Sequence, residues 1–329
     1  MSKVKLGIIG LGAMGQRLIQ TIIHSHSDTI EITAVCDSSE SLTKQVAEEL
    51  QVTNYTTDYH VLLNNEEIQL IYIAVPPKFH ERIVLDAVQK HILCEKPLAN
   101  SLEEAGRMLE AVERENVLHM MNFPLNYQGA MYKMMELLED GYIGKYRRID
   151  LTLHFPKWPR SWQKNSWVGK REQGGFMLEV GAHWIQFILK NFGQILHIKG
   201  DVHYPEDPNA SESGVIATLT LENDIKVHVN GLSQMAGNER VELAIHGTEG
   251  SVMIENWGTL KAGKSGEAFE EIPIKHKGNN RLLDHVVAAI KGEKADIYDF
   301  RIGYNVQVVL EAFKQQNLQQ GIDLKNKYK

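Results

Sequence analysis

The sequence predicts an α/β protein of two domains: a doubly wound parallel sheet in residues 1–122 and an α/β domain with an antiparallel sheet in residues 123–329. In the first part, short apolar runs without alternation are separated by segments of helical spacing, which is typical of parallel strands covered on both faces. In the second part, apolar and polar residues alternate along residues 225–230, which is typical of an antiparallel strand with one covered face. A length of 329 residues is enough for two domains, each with its own core.

The first domain is predicted from apolar runs and helical segments that take turns along the chain. Because parallel strands need a crossover connection, this order is the expected one for a parallel sheet. Ser101 followed by Glu104 is a capping-box pattern, which indicates where one of these helices begins. The predicted strands are residues 4–10, 31–36, 70–75, 92–94 and 117–121, and the predicted helices are residues 13–23, 41–50, 81–89 and 101–115.

The second domain is predicted to alternate helix and strand at first, to continue with four short strands, and to close with two helices. Asn223 and Asp224 fit a hairpin turn between the first two of those four strands. The predicted strands are residues 146–155, 215–221, 225–232, 241–246 and 252–255, and the predicted helices are residues 128–138, 176–189, 282–291 and 304–315.

Composition excludes several classes of partner. The net charge of −7 argues against a nucleic-acid surface, and no uninterrupted apolar run is long enough to span a bilayer. The start, MSKVKLGIIGLG, is interpreted as structure rather than a signal peptide, because Gly10 and Gly12 interrupt its apolar run. Cys36 and Cys94 are the only cysteines and lie in strand-like runs, which favours a reducing compartment. No CxxC or HExxH spacing indicates a metal site, so we expect a cytoplasmic protein without nucleic-acid, membrane or metal partners.

A glycine-rich motif, GLGAMG, lies between the first predicted strand and the first predicted helix. At this place Gly10 allows a tight turn, Gly12 lets the backbone approach a pyrophosphate, and Gly15 lets the helix pack closely on the strand. The helix N-terminus attracts the anion. A plain strand–helix turn is the alternative, and the position of the motif favours a dinucleotide. The predicted cofactor contacts in this motif are Gly10, Gly12, Ala13, Met14 and Gly15.

Asp37 ends the second predicted strand, 22 positions after Gly15. An acidic residue at about this distance binds the ribose hydroxyls of NAD. Its carboxylate would repel the 2′-phosphate of NADP, and the following Ser38 and Ser39 provide no arginine to compensate. We therefore expect NAD rather than NADP, with Asp37 and Ser38 at the ribose. A solvated aspartate at a strand end is the alternative.

Another strand end contributes candidate residues, because the carboxyl ends of parallel strands line the ligand crevice. Ala74, Val75, Pro76 and Pro77 end the strand of residues 70–75, and the two prolines form a rigid wall that either lies against a ribose or nicotinamide or simply ends the strand. His80, a few residues later, either contacts the cofactor or starts the next helix.

The tripeptide Glu95-Lys96-Pro97 ends the next strand on the same crevice. A lysine there can donate to a substrate oxygen and stabilise the negative charge that develops on it. Glu95 can hold the ammonium group or position the ribose, and Pro97 fixes the turn. An ordinary surface Glu–Lys pair is the alternative.

The motifs GLGAMG, AVPP and LCEKPLA, together with residues 174–183 (GGFMLEVGAH), resemble those of the glucose–fructose oxidoreductase and inositol dehydrogenase family (Gfo/Idh/MocA). Residues 299–312 also resemble the last helix of the family, so the similarity extends over essentially the whole chain. The resemblance implies an N-terminal Rossmann domain and a C-terminal α/β domain built on a large, mostly antiparallel sheet. It also implies a homodimer or homotetramer joined through that sheet.

By the same resemblance, Lys96 and His183 are the catalytic lysine and histidine, and Glu179 stands where the family usually has an aspartate. Glu179 and His183 are four residues apart, so on an α-helix they share a face, and the carboxylate can orient the imidazole. The alternative is an ordinary helix histidine packed beside Trp184, with Glu179 in an intrahelical pair.

The chain departs from the family pattern at two places that lie near substrate in the family. Gln186 stands three residues after the histidine, where aspartate is frequent, and Asn126-Tyr127 stands where Arg-Phe is frequent. The substrate contacts are therefore expected to differ from those of the standard cyclitol dehydrogenases. In addition, the tryptophan-rich residues 158–167 form either a lid that stacks on a sugar or a hydrophobic plug. The residues predicted to lie near substrate are Lys96, Asn126, Trp162, Trp167 and His183.

These features predict an NAD-dependent oxidoreductase that transfers a hydride between the nicotinamide and a carbinol or carbonyl carbon of a sugar, sugar derivative or cyclitol. Two other functions fit the same fold: a catalytically silent regulator that senses NAD or a sugar, and a reductase of a non-sugar such as a tetrapyrrole. Retention of both Lys96 and His183 favours the enzyme.

Overall fold

The computed structural model describes residues 2–115, 117–163, 165–274, 281–315 and 317–329. The chain forms two compact units, one of Met1–Phe123 with Asn279–Tyr304 and one of Pro124–Gly278 with Asn305–Lys329. The predicted division at residue 123 therefore differs from the structure for residues 279–304, which lie in the first unit rather than in the second.

Polar contacts hold this returning segment to the first unit. The Asp284 carboxylate lies 3.1 Å from Nε2 of the buried His26. The backbone N–H of Met121 donates to the carbonyl of Tyr298 over 2.7 Å. Both contacts join residues far apart along the chain, which is why no local pattern in the sequence indicates them.

The first unit contains a six-stranded, entirely parallel sheet in the order β3-β2-β1-β4-β5-β6. This order confirms the predicted doubly wound sheet. The short β3 and α3, with largely exposed or half-exposed side chains, were not predicted. The strands are β1 Val4–Ile9, β2 Ile30–Cys36, β3 Asn54–Thr56, β4 Leu70–Ile73, β5 His91–Cys94 and β6 His119–Met121, and the helices are α1 Ala13–Ser25, α2 Glu40–Leu50, α3 Tyr59–Leu63, α4 His80–Asp86 and α5 Leu102–Glu115.

The register of this sheet brings five strand ends level at one edge. The last residues of these strands are Ile9, Cys36, Ile73, Cys94 and Met121. Because the strands are parallel, the residues that follow share the edge at which ligands bind in such sheets. They are Gly10, Asp37, Ala74, Glu95 and Asn122.

The second unit contains a nine-stranded sheet in the order β14-β13-β12-β11-β7-β10-β9-β8-β15. Only β7 and β10 pair in parallel, so the predicted mostly antiparallel sheet is confirmed. The strands β8 and β13–β15 were not predicted. The strands are β7 Tyr146–Phe155, β8 Ile195–His203, β9 Gly214–Leu221, β10 Lys226–Ser233, β11 Arg240–Gly247, β12 Gly250–Glu255, β13 Thr259–Lys264, β14 Glu270–Glu271 and β15 Ile322–Asp323, and the helices are α6 Gly129–Glu139 and α7 Ala182–Phe192.

One face of this sheet is covered and the other is open. Along β10, exposed and buried side chains alternate from residue to residue. The helix α6 packs against β12 and β13. On the open face Ile216 and Leu232 remain 66% and 43% exposed. The buried side chains of the central strand are Ile149, Leu151, Leu153 and Phe155.

The remaining helices are α8 Arg281–Ile290 and α9 Phe300–Phe313. In the described part of the chain, none of the helices has both the length and the apolar character needed to cross a membrane. The same residues contain no group of three or more His, Cys, Asp and Glu side chains placed to hold a metal ion.

Candidate functional site

The glycine motif forms the turn between β1 and α1. Gly10 has φ +99°, and a Cβ there would lie 2.5 Å from the carbonyl oxygen of Ala74. A Cβ on Gly15 would lie 2.1 Å from the carbonyl oxygen of Gly10, so both positions require glycine. At Gly12, by contrast, nothing lies within 4 Å of the Cβ position. No side chain caps this helix N-terminus, and Gly12 and Ala13 are exposed, so the turn fits a pyrophosphate on its backbone N–H groups.

Asp37 is tied to this turn. Its Oδ2 accepts a hydrogen bond from the backbone N–H of Leu11 over 2.8 Å, and its Oδ1 accepts one from Ser39 over 3.0 Å. The side chain is half-exposed, and because Oδ1 also accepts from the Ser38 hydroxyl over 3.5 Å, it is Oδ2 that keeps a lone pair for a further donor. Asp37 can therefore hold the glycine turn and accept ribose hydroxyls at the same time, and the sequence indicated only the second of these functions.

His80 lies behind the strand ends rather than on their surface. It is fully buried at the start of α4. Its Nε2 lies 2.9 Å from the carbonyl oxygen of Val75, and its Nδ1 lies 3.1 Å from those of Pro97 and Leu98. Burial lowers the pKa of this imidazole. The structure thus places His80 at the start of α4, the second of the two alternatives, where it links two loops.

Glu95 is buried in a polar cluster at the ends of three adjacent strands. Its carboxylate accepts hydrogen bonds from the hydroxyl of Tyr72, on β4, and from the side-chain amide of Asn122, which follows β6. Burial raises the pKa of Glu95, while the bond from Tyr72 and the charge of Lys96 act in the opposite direction. Sequence reasoning missed Tyr72 and Asn122 because each lies inside or beside an apolar strand. Lys96 itself is half-buried, and its peptide bond to Pro97 is cis.

In the second unit, close packing requires glycine at positions 174 and 175, which precede His183. A Cβ on Gly174 would lie 2.2 Å from the carbonyl oxygen of Val168. Gly175 has φ +101°, and a Cβ there would lie 2.1 Å from Oε2 of Glu212. Glu212 is buried, and its Oε1 accepts a hydrogen bond from the backbone N–H of Met177 over 2.8 Å. Burial raises the pKa of Glu212 to about 7.

The segment after these glycines carries the predicted catalytic pair. Met177–Gly181 is wound as a π-helix and leads into α7, so Glu179 and His183 do not belong to one regular α-helix as predicted. Such π turns occur often at functional sites. Among residues 173–188, Glu179 and His183 are the two half-exposed side chains, and the other side chains are buried. The segment therefore leaves an acid and an imidazole partly accessible while its other side chains are buried.

Trp257 contacts this histidine and was not predicted. Its ring centroid lies 6.0 Å from that of His183, with the two ring planes at 84°. The indole also lies 6.0 Å from the ring of the fully buried Trp184. Asn256-Trp257-Gly258 has the composition of a turn, but only the folded chain brings that turn to α7.

The three tryptophans of the segment 158–167 differ in exposure. Trp158 is buried against Phe155, with ring centroids 4.9 Å apart, as expected for a plug. Trp162 is 62% exposed, as a stacking side chain must be. Between them, the guanidinium of Arg160 forms two hydrogen bonds of 2.9 and 2.8 Å with Glu239. Trp167 is half-buried.

The two departures from the family pattern contact each other. The side-chain amide of Asn126 donates to the side-chain oxygen of Gln186, and both residues are buried. They are 60 residues apart in the chain, so their contact could not be read from the sequence. Two neutral amides therefore form one buried pair in the second unit.

Comparison with known proteins agrees with this architecture. Residues 4–123 match the model of the oxidoreductase family with an NAD-binding Rossmann fold, and residues 131–253 match the GFO/IDH/MocA C-terminal domain. The myo-inositol 2-dehydrogenase of Thermotoga maritima is 26% identical over 77% of this chain and 75% of its own length. The levoglucosan dehydrogenase of Pseudarthrobacter phenanthrenivorans is 24% identical over 77% of this chain and 74% of its own length.

Solved structures show the same fold over nearly the whole chain. Levoglucosan dehydrogenase in complex with NADH and L-sorbose superposes with a TM-score of 0.83 at 20% identity, covering 98% of this chain and 99% of that one. The WlbA dehydrogenase of Bordetella pertussis, in complex with NADH and UDP-GlcNAcA, gives a TM-score of 0.83 at 17% identity, with coverages of 98% and 99%. The chain therefore belongs to the GFO/IDH/MocA family of oxidoreductases, and residues 4–123 form its NAD-binding Rossmann domain.

Proposed function

We propose that the protein is an NAD-dependent dehydrogenase or reductase that acts on a carbinol or carbonyl group of a sugar, sugar derivative or cyclitol. The observation that carries the proposal is the pair of half-exposed polar side chains, Glu179 and His183, within residues 173–188, whose other side chains are buried. An acid–base pair presented in this way suits proton transfer to and from a hydroxyl group. The names of the relatives, a levoglucosan dehydrogenase and a myo-inositol 2-dehydrogenase, support a polyhydroxylated substrate.

Each polar residue has a distinct task in this proposal. In the oxidising direction His183 accepts the hydroxyl proton, and Glu179 orients its imidazole. Lys96 donates a hydrogen bond to the same oxygen as it becomes a carbonyl oxygen. When bound, NAD supplies the acceptor for the hydride. The glycine turn holds the pyrophosphate, and Asp37 holds the ribose and disfavours a 2′-phosphate. Asn126, Trp162 and Trp167 are proposed substrate contacts.

The test is a turnover assay after a substrate screen. NADH formation is followed with a panel of sugars, anhydrosugars and cyclitols, and then repeated with Lys96→Met and His183→Ala. We expect each variant to lower kcat by ~100-fold or more, the usual scale for losing a positioned acid–base or charge-stabilising group. NAD affinity should change little, since other residues hold the cofactor. Lys44→Met, on the exposed face of α2, serves as the control.

Two results would contradict the proposal in different ways. If Lys96→Met keeps near-normal turnover while His183→Ala does not, the lysine has only a structural role. If NAD raises the thermal midpoint but no member of the panel is oxidised and none of the corresponding ketoses is reduced, the silent regulator is the better function.

We also propose that the protein is a cytoplasmic homodimer or homotetramer that associates through the open face of the nine-stranded sheet. Both cysteines are free and buried, which suits a reducing compartment. The exposed Ile216 and Leu232 lie on adjacent strands of the open face and suit a two-fold contact. Light scattering at micromolar concentration tests the assembly: a monomeric mass would exclude it, and Ile216→Lys should weaken it.

A further inference from the structure

The turn that carries Trp257 has an unfavourable backbone conformation. It joins β12 to β13, and the backbone N–H of Gly258 donates to the carbonyl of Glu255 over 3.1 Å. The two central residues both have positive φ, +50° at Asn256 and +69° at Trp257. Turns of this kind favour asparagine and glycine, and a bulky side chain in this region is strained. Asn256 suits its position, whereas Trp257 is held where glycine would be preferred.

The strained position directs the indole to the predicted catalytic histidine. The ring planes of Trp257 and His183 are nearly perpendicular, at 84°, with centroids 6.0 Å apart. This is a favourable arrangement for two aromatic rings, so it selects one orientation of the imidazole. A tryptophan retained against its backbone preference, and in contact with the reactive side chain, indicates a functional constraint.

The indole is in turn fixed by two neighbours. On one side lies the fully buried ring of Trp184, 6.0 Å away at 34°. On another lies the guanidinium of Arg160, whose carbon is 5.7 Å from the centroid of the Trp257 ring. Arg160 is only 11% exposed and is clamped by both carboxylate oxygens of Glu239. Because the indole is fixed in this way, it can restrict the orientation of the neighbouring imidazole.

We propose that Trp257 is a positioning residue that fixes the plane of the His183 imidazole for proton transfer. The inference rests on the proposed role of His183 as the base. In this proposal Trp257 acts through the histidine rather than by direct contact with the reacting oxygen or the cofactor. Its loss should therefore lower kcat, which depends on a correctly oriented base, and leave KM and NAD affinity nearly unchanged.

The kinetic test compares three replacements with one control. Trp257→Gly and Trp257→Leu both remove the aromatic ring, and the leucine keeps an apolar side chain of substantial size. Each variant should lower kcat by roughly 10-fold or more, because a misoriented catalytic group slows the chemical step steeply. Trp257→Phe keeps a ring and should restore most of kcat. Asn256→Gly relaxes the same turn without touching the histidine and should leave kcat unchanged. A rise in KM at constant kcat would overturn the inference, because it would make Trp257 a substrate contact.

A second measurement needs no substrate. It is the NMR spectrum of protein with isotope-labelled histidines. The ring signals of His183 are identified by their absence from the spectrum of His183→Ala, and the neighbouring indole of Trp257 should shift them by its ring current. We expect this shift to be lost in Trp257→Leu and largely kept in Asn256→Gly. If the shift is lost as expected but no polyol is oxidised, the proposed function fails while the positioning contact stands. If the His183 signals are unchanged in Trp257→Leu, the inference is wrong whatever the activity.

Discussion

Replacing Glu212 by glutamine should remove a pH-dependent loss of stability from the second unit. The Glu212 carboxylate is only 8% exposed, packs on Gly175 and accepts a hydrogen bond from the backbone of Met177. The charged groups that line the adjoining cavity are Arg171 and Lys314. Despite these cations, burial dominates and raises the pKa from 4.5 to about 7. The folded unit therefore binds the Glu212 proton more tightly than the unfolded chain does.

The sign and the size of the effect follow from this difference. Where the folded state holds more protons than the unfolded state, stability falls as pH rises, here between 4.5 and about 7. Each pKa unit corresponds to about 1.4 kcal/mol. Multiplied by the pKa difference between the unfolded and the folded state, this means that the ionised carboxylate destabilises the fold by about 3 kcal/mol at pH values above the folded-state pKa. Glutamine keeps the acceptor for Met177 and has no charge, so its effect should not depend on pH.

Thermal unfolding of the wild type and Glu212→Gln measures this directly. Since 1 kcal/mol shifts Tm by about 2–4 °C in a unit of this size, the wild type should lose roughly 6–12 °C relative to the variant between about pH 5 and about pH 8. Glu267→Gln, an exposed glutamate of the same unit, should behave as the wild type does. Parallel pH profiles for the wild type and Glu212→Gln would refute the reasoning, since they would mean that Glu212 titrates normally.

Two further predictions concern the cofactor domain. Asp37→Asn keeps an acceptor for the Leu11 N–H but removes the charge. It should therefore reduce the preference for NAD(H) over NADP(H) by roughly 10-fold or more, which corresponds to the free energy of about one charge-assisted hydrogen bond. If the wild type binds NADP(H) more tightly than NAD(H) in a titration, the assignment of Asp37 is wrong. Tyr72→Phe removes one of the donors to the buried Glu95 and should destabilise the fold by about 1–3 kcal/mol, as expected for a buried carboxylate that loses one of its hydrogen bonds. Denaturant unfolding checks the second prediction, and an unchanged midpoint would mean that the hydroxyl of Tyr72 contributes nothing.

Local patterns were sufficient to predict five of the six strands of the first unit and, except for Asn122, the residues that follow them at the shared edge. A buried parallel strand such as Leu70–Ile73 is a continuous apolar run, and a register of such strands places Asp37 and Glu95 at one edge. The strand Ile195–His203 was missed because polar residues and a glycine interrupt its apolar pattern. Along β10 the alternation is regular, and that strand was predicted.

Residues of the candidate site could be predicted only where they stand in a recognisable local sequence motif. Lys96 and His183 stand in short motifs, whereas Glu212 and Trp257 act through contacts with segments distant in the chain. The π turn before α7 begins at Met177, whose backbone N–H donates to the distant Glu212, and spacing alone suggested a regular helix there. The residues that could not be predicted are those that contact the candidate site residues from distant parts of the chain.

The contact between Asn126 and Gln186 has a consequence for how these two positions can change by mutation. Both amides are buried, so exchanging one of them for a charged residue would leave a lone charge beside an amide that cannot neutralise it. Such an intermediate would lose stability before it gained a new specificity. The two positions are therefore expected to change together. A mutational library that varies both at once should contain folded variants that a library of single substitutions lacks.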